Sequence, residues 1–252
     1  MPPRRAASYA ARHEPPVLIG TAGLARIRAK LVTGMARLTF WLDVDNTLLD
    51  NDRVKTDLEQ HIEKLVGPDR SRRFWELYED VRRDLDYVDL LETLRSFRSA
   101  FPEEPHFPHL SAFVMGYPFT GTLYPGALEA IAHLKTLGAV AILSDGDPLW
   151  QPAKIARSGL AAAVDDQVLV YGHKQEHLDE VRKRFPANRY VLVDDKATIL
   201  ADIKGRLGAD VVTVHVCQGR YGREDDRDPA IDIHLDRISD LARLGENSLR
   251  SR

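Results

Sequence analysis

The sequence predicts an α/β protein, a doubly wound Rossmann-like parallel sheet core with an α-helical subdomain inserted into it. Three observations carry this reading. Short, nearly continuous apolar runs recur along the chain, each ended by acidic or turn residues. Segments of helical periodicity stand between them. Between residues 52 and 121 the strand-like runs largely disappear and helix-period segments dominate. Short apolar runs suit strands buried on both faces of a parallel sheet, and their alternation with helices implies βαβ units.

The first run, Leu38–Val44, lies within TFWLDVDNTLLD at 39–50 and its flank. Others are AVAILSDGD at 139–147, VLVYGH at 168–173, RYVLVDDK at 189–196 and the β-branched DVVTVHV at 210–216. The clearest helix is YPGALEAIAHLKTLG. Pro125 sits near its start, Leu128, Ile131, Leu134 and Leu137 recur on one face, and Gly138 stops it. In the insertion, SRRFWELYEDVRRDL sets Phe74, Leu77, Tyr78 and Val81 at helical spacing, and DLLETLRSFRSAF does the same with Leu90, Leu94, Phe97 and Phe101. The Pro-rich FPEEPHFPHL reads as a loop. AIDIHLDRISDLARLG reads as a last short strand and an amphipathic helix.

These boundaries give a core of residues 37–51 and 122–252, a helical subdomain at 52–121 and an N-terminal extension at 1–36. The extension is rich in Arg, Ala and Pro, with Glu14 its sole acidic residue. It reads as disordered, or as an over-long start ahead of Met35; an organellar transit segment is the other composition of this kind.

The 252 residues are 44% hydrophobic and 29% charged, ordinary for a globular protein. A net charge of -3 argues against a surface that coats nucleic acid. No run approaches the about 18 apolar residues that span a bilayer. Cys217 is the single cysteine, so no internal disulfide forms and a reducing, cytoplasmic setting is expected. At a strand end it reads as a small hydrophobe. His173 and His177 have helical spacing, but no third ligand completes a zinc site. The expected partner is a small molecule rather than nucleic acid or membrane, and the chain is read as a monomer or homodimer.

Polar residues gather at the predicted strand ends: Asp43 and Asp45, Ser144, Lys174, and Asp194 with Asp195. In an open α/β sheet these ends share one crevice. Two like charges about 4 Å apart repel by about 4 kcal/mol at an effective dielectric near 20. Several carboxylates there need a counter-charge, and all-oxygen ligands favour Mg²⁺ over zinc or copper.

The order of these residues resembles the haloacid dehalogenase-like superfamily of phosphotransferases. The match is DxDxT at Asp43-Val44-Asp45-Asn46-Thr47, then Ser144 in ILSDGD, Lys174, and VLVDDK with Asp194 and Asp195. The insertion resembles that superfamily's helical cap. The resemblance implies that Asp43 is a nucleophile giving an aspartyl-phosphate and Asp45 a general acid and base. It implies that Ser144 and Lys174, with Asn46 and Asp145, hold the phosphoryl group. Mg²⁺ would lie between Asp43, the backbone carbonyl of Asp45, and Asp194 or Asp195. Dehalogenating members lack an acid two residues after the nucleophile, since a halide needs no proton, so Asp45 favours phosphoester cleavage. Gln175 stands where the family often has proline, Lys196 is an unusual cation after the aspartate pair, and Asp147 has no assigned role.

The expected function is a Mg²⁺-dependent phosphatase acting on a small phosphomonoester. A phospho-ligand-binding or regulatory protein with little turnover is the alternative from another class, and a haloacid dehalogenase is disfavoured by Asp45. A receiver domain fits badly, because the aspartate pair comes last here and a helical insertion follows the first strand. Arg72, Arg73, Trp75, Tyr78 and Tyr87 of the insertion are candidate substrate contacts, as are Gln218, Arg220 and Tyr221 after the 210–216 run.

Overall fold

The computed structural model describes residues 36–85, 87–223 and 228–249. Apart from Ala36, the expected N-terminal extension lies outside them. Six strands form one sheet: β1 Thr39–Leu42, β2 Ala139–Asp145, β3 Val168–Tyr171, β4 Tyr190–Asp194, β5 Val211–Val216 and β6 Ile233–Leu235. They run in parallel in the order β3-β2-β1-β4-β5-β6.

Each apolar run divides between two cores because successive side chains point to opposite faces of a strand. Phe40 and Leu42 pack on one side with Ile142, Val191 and Val193. Trp41 packs on the other with Ala141, Leu143 and Leu192, its ring stacked on Tyr190 at 4.3 Å. All four residues of β1 are buried. That two-sided burial is why the run shows no polar alternation.

Four helices follow β1: α1 Asn51–Val66, α2 Pro68–Leu85, α3 Leu90–Ala100 and α4 Phe107–Gly116. Asp50 caps α1 by accepting from the Arg53 N–H at 3.0 Å, and Asp89 caps α3 by accepting from the Glu92 N–H at 2.8 Å. Phe74 of α2 and Phe97 of α3, both fully buried, meet edge-on at 5.7 Å. Part of the Pro-rich stretch expected as a loop is the start of α4, with Pro108 in its first turn, where a missing N–H costs no hydrogen bond.

The chain returns through α5 Ala127–Leu137 into β2. The expected stripe of α5 is rotated. Ala127, Ala130, Ile131 and Leu134 are buried, whereas Leu128 is 44% exposed. The C-terminal segment Ile238–Arg243, a 3-10 helix rather than the expected amphipathic α-helix, lies against this helix. An added Cβ at Gly126 would come within 2.6 Å of Ser239 Cβ. So close an approach selects the face carrying small alanines. The remaining helices used below are α6 Trp150–Arg157, α7 Leu178–Arg184 and α8 Ala197–Leu207. No described helix is long and apolar enough to cross a membrane.

β1 is central, with β2 on one side and β4 on the other. Chain order reverses there, so a crevice opens where the three strands end.

Two glycines test this packing. A Cβ at Gly138 would lie 2.4 Å from the Leu38 carbonyl oxygen, whereas one at Gly205, on exposed helix, meets nothing within 4 Å. Gly138→Ala is expected to destabilise by about 1–3 kcal/mol. Gly205→Ala is expected to stabilise by about 0.5–1 kcal/mol. Denaturant unfolding of both variants checks the pair.

Candidate active site

Three chain segments converge on one ammonium group. Asp43 leaves β1 with its N–H donating to the Val193 carbonyl at 3.0 Å, and Asp194 ends β4. Lys174 opens a 3-10 turn after β3 and is 0% exposed. Its Nζ lies 2.6 Å from Asp43 Oδ1, 2.6 Å from Asp194 Oδ2 and 3.8 Å from Asp145 Oδ2. The turn is itself anchored, because the Lys174 backbone N–H donates to Asp145 Oδ1 at 2.7 Å. The Asp145 carboxylate, expected near phosphate, is therefore committed to holding Lys174.

Asp195 stands apart. It is 1% exposed, and neither carboxylate oxygen has a hydrogen-bond partner among the described residues. One oxygen each from Asp43, Asp194 and Asp195 lie within 4.8 Å of one another. Burial, then the charges of Asp194 and Asp43, push Asp195 from its ordinary 3.8 to about 9. Burial also lifts Asp43 to about 7, against the pull of Lys174. Lys174 goes the other way: burial favours its neutral form, but Asp194, Asp43 and Asp145 together hold it well above its usual range. A buried carboxylate with unpartnered oxygens beside two others fits a hard divalent cation.

Asp45 turns to a different partner. Both its oxygens accept from Lys154 Nζ, at 2.7 and 2.9 Å, and Gln151 Nε2 donates to Oδ2 at 3.2 Å. Gln151 Nε2 also donates to Ser144 Oγ at 2.9 Å, and Lys154 Nζ to Asn51 Oδ1 at 3.1 Å. Gln151 and Lys154 are buried, three residues apart on one face of α6. Asp147 gains a role here. Its Oδ1 accepts from the N–H groups of Leu149 and Trp150 at 2.9 and 2.6 Å, fastening the start of the helix that carries this pair.

Asn46, expected at phosphate, is buried with a left-handed φ of 59°. Its Oδ1 accepts from the Asn51 and Asp52 N–H groups at 3.0 and 3.2 Å, and its Nδ2 donates to Asp52 Oδ1 at 3.2 Å. Its backbone N–H donates to the Leu49 carbonyl at 2.7 Å. These bonds tie the turn after β1 to the start of α1.

The candidate substrate contacts divide. Arg72 and Arg73 pair with Asp69 and Glu76 on the exposed side of α2. Trp75 meets Tyr78 edge-on, with Lys55 Nζ 5.6 and 5.4 Å from the two rings. Burial first, then charges including Glu79 and Asp45, raise the Tyr78 hydroxyl. Tyr87 approaches Gly172, where an added Cβ would lie 3.6 Å from its ring. Tyr221 lies beside Lys196, whose Nζ is 5.7 Å from the ring. Gln218 braces two loops, its Nε2 donating to the Thr47 carbonyl at 2.8 Å and its Oε1 accepting from the Ile238 N–H at 3.0 Å. The Arg220 backbone N–H donates to Asp52 Oδ2 at 2.7 Å.

Residues 39–202 match the family of haloacid dehalogenase-like hydrolases. No curated protein matches the chain. Among solved structures, a haloacid dehalogenase-like hydrolase from Burkholderia xenovorans LB400 is 42% identical, with a TM-score of 0.79 over 85% of this chain and 99% of that one. L-2-haloacid dehalogenase from Xanthobacter autotrophicus shares the fold at 18% identity and a TM-score of 0.55, over 82% of this chain and 97% of that one. YfnB from Bacillus subtilis, a HAD-hydrolase bound to magnesium, shares it at 14% identity and 0.55, over 82% and 97%.

The raised carboxyls make stability depend on pH. Between the ordinary 3.8 and the raised values of about 7 for Asp43 and about 9 for Asp195, the folded protein holds protons that the unfolded chain releases. The stability these groups supply at low pH is therefore lost as pH rises through that window. In chelator, the melting temperature is expected to fall from about pH 5 to about pH 9, less steeply in Asp195→Asn, and to be restored by a divalent cation. Thermal melts across that range, with and without the cation, read out the slope.

Proposed function

The chain belongs to the haloacid dehalogenase-like hydrolases, and from that premise we propose that it is a Mg²⁺-dependent phosphatase acting on a small phosphorylated metabolite. The observation that carries this reading is the second carboxylate. Asp45 is held outside the Lys174 cluster, its side chain 31% exposed and fixed by Lys154 and Gln151. An alkoxide leaving group needs a proton and a halide does not, so a positioned second carboxylate serves ester cleavage.

Asp43, oriented by Lys174, attacks phosphorus. The bond to the ester oxygen breaks as an aspartyl-phosphate forms, and Asp45 gives its proton to the departing alkoxide. Water then attacks the same phosphorus and passes a proton to Asp45, freeing Asp43 and inorganic phosphate. Lys174 offsets negative charge at the nucleophile throughout. Ser144 Oγ, held by Gln151, is available to a phosphoryl oxygen. Asp43, Asp195 and the Asp45 backbone carbonyl would hold Mg²⁺, which neutralises the anionic group that a bare carboxylate would repel. Asp194 is occupied by Lys174 and acts through it. Helices α1–α4, the expected cap, would cover the crevice, with Tyr78 and Tyr87 as the substrate-facing side chains.

A panel of phosphomonoesters and 2-haloacids, assayed with Mg²⁺ and with chelator, tests the reading. Turnover of at least one phosphomonoester is expected, lost in chelator and in Asp43→Asn. Asp45→Asn should lower kcat by about 10²–10⁴-fold on alkyl phosphates. Its effect should be much smaller on p-nitrophenyl phosphate, whose leaving group departs unprotonated. Turnover confined to haloacids would make the protein a dehalogenase; phosphate-ester binding without turnover would make it a binding protein.

A further inference from the structure

A second cluster of ligand-type side chains lies outside the carboxylate site. His215, Cys217 and His234 each bring one donor atom within 4.8 Å of the others. Parallel register pairs His215 of β5 with His234 of β6. Cys217 follows His215 by two residues, and its N–H continues the ladder by donating to the Leu235 carbonyl at 2.7 Å. Extended chain therefore puts Cys217 on the His215 side of the sheet. Two hydrogen-bonded strands hold all three donors, a rigid platform.

The tautomer of His215 is set by its surroundings. Its Nε2 lies 3.0 Å from the Asp195 carbonyl oxygen, which can only accept. Nε2 therefore carries the proton, and Nδ1 of the neutral ring presents a lone pair. That Nδ1 is 3.3 Å from His234 Nδ1 and 3.6 Å from Cys217 Sγ. The imidazole rings cross at 87° rather than stack. In a tetrahedral zinc centre, metal–nitrogen bonds of about 2.05 Å and metal–sulfur bonds of about 2.3 Å separate two nitrogens by about 3.3 Å and nitrogen from sulfur by about 3.6 Å. Both distances are those found here. A backbone carbonyl orienting the far nitrogen is also the usual support of a metal-binding imidazole.

We infer that His215, Cys217 and His234 form a Zn²⁺ site separate from the all-oxygen carboxylate site. Two imidazoles and a thiolate select a borderline-soft cation, whereas Mg²⁺ prefers oxygen. Cys217 binds after losing its thiol proton to solvent, and water takes the fourth position. Zn²⁺ here pins β6 to β5. Through the His215–Asp195 hydrogen bond it also steadies the turn that carries Asp195 and Lys196.

Co²⁺ titration of the full chain in excess Mg²⁺ tests the site by its spectrum. A thiolate-to-cobalt charge-transfer band is expected to appear, saturate at about one equivalent and bleach when Zn²⁺ displaces the cobalt. The band should be absent in Cys217→Ser, weakened in His234→Ala and retained in Asp195→Asn. Zn²⁺ should raise the melting temperature of wild type and not that of Cys217→Ser. The wild-type spectrum decides the matter even if a variant fails to fold. Absence of a thiolate band in wild type, or equal Zn²⁺ affinity in wild type and Cys217→Ser, would reduce the cluster to a hydrogen-bonded Cys–His–His chain and overturn the inference. Neither outcome depends on phosphatase activity.

Discussion

The organisation of the crevice depends on one buried ion pair network, Lys174 between Asp43 and Asp194. Taking an ammonium out of water is costly, and only close, well-placed carboxylates offset it. Removing one member of such a group typically costs about 3–5 kcal/mol, because the remaining charge is left buried. The network joins the end of β1, the turn after β3 and the end of β4, three places far apart in sequence. Asp145 adds a second hold on the same turn through the Lys174 backbone. With Asp194 engaged by Lys174, the neighbouring Asp195 becomes the carboxylate with unpartnered oxygens.

Much of this framework could be read from the sequence because the strands are buried on both faces. An unbroken apolar run ended by an acidic residue is then a direct signal, and Asp43, Ser144, Lys174 and Asp194 all stand where such runs end. What sequence could not give was the partner of each polar group. Asp45 meets Lys154 and Gln151 only because β1 and β2 are neighbours and α6 folds back over their ends. The signal was present in WQPAKIAR, where two polar residues three apart share a buried face with Trp150 and Ile155. Nothing in their spacing says which acid they meet. Asn46 is ambiguous for a related reason, since an amide before a helix serves its N-terminus as readily as a ligand. Leu128 misled because leucines at three-residue spacing define one stripe while the alanines beside them define another. Proximity of the Ile238 segment, a long-range fact, chose the second.

Cations and carboxylates alternate through the crevice. No side chain there lies deeper than that of Lys174, and Lys154 is also buried, its side chain 5% exposed against 31% for the Asp45 side chain it holds. Lys196 stays charged because Asp194 and Asp43 outweigh the burial that opposes it. Cations set among the carboxylates offset the repulsion that an acidic crevice alone would present to an anion. The rim is braced by hydrogen bonds between side chains and main chain. Gln218 grips the turn after β1, and the Arg220 N–H meets Asp52 at the head of α1. The loop after β5 and the entrance to the insertion are thus coupled mechanically.

The tandem aspartates ending β4 carry an evolutionary consequence. Identical in chemistry and adjacent in chain, they differ because Lys174 Nζ and the Lys196 N–H occupy the oxygens of Asp194, whereas neither oxygen of Asp195 has a partner among the described residues. A single-residue insertion or deletion within β4 would leave the composition of that motif intact while shifting both acids away from Lys174. The site therefore constrains the length of β4 more tightly than the choice among its apolar letters.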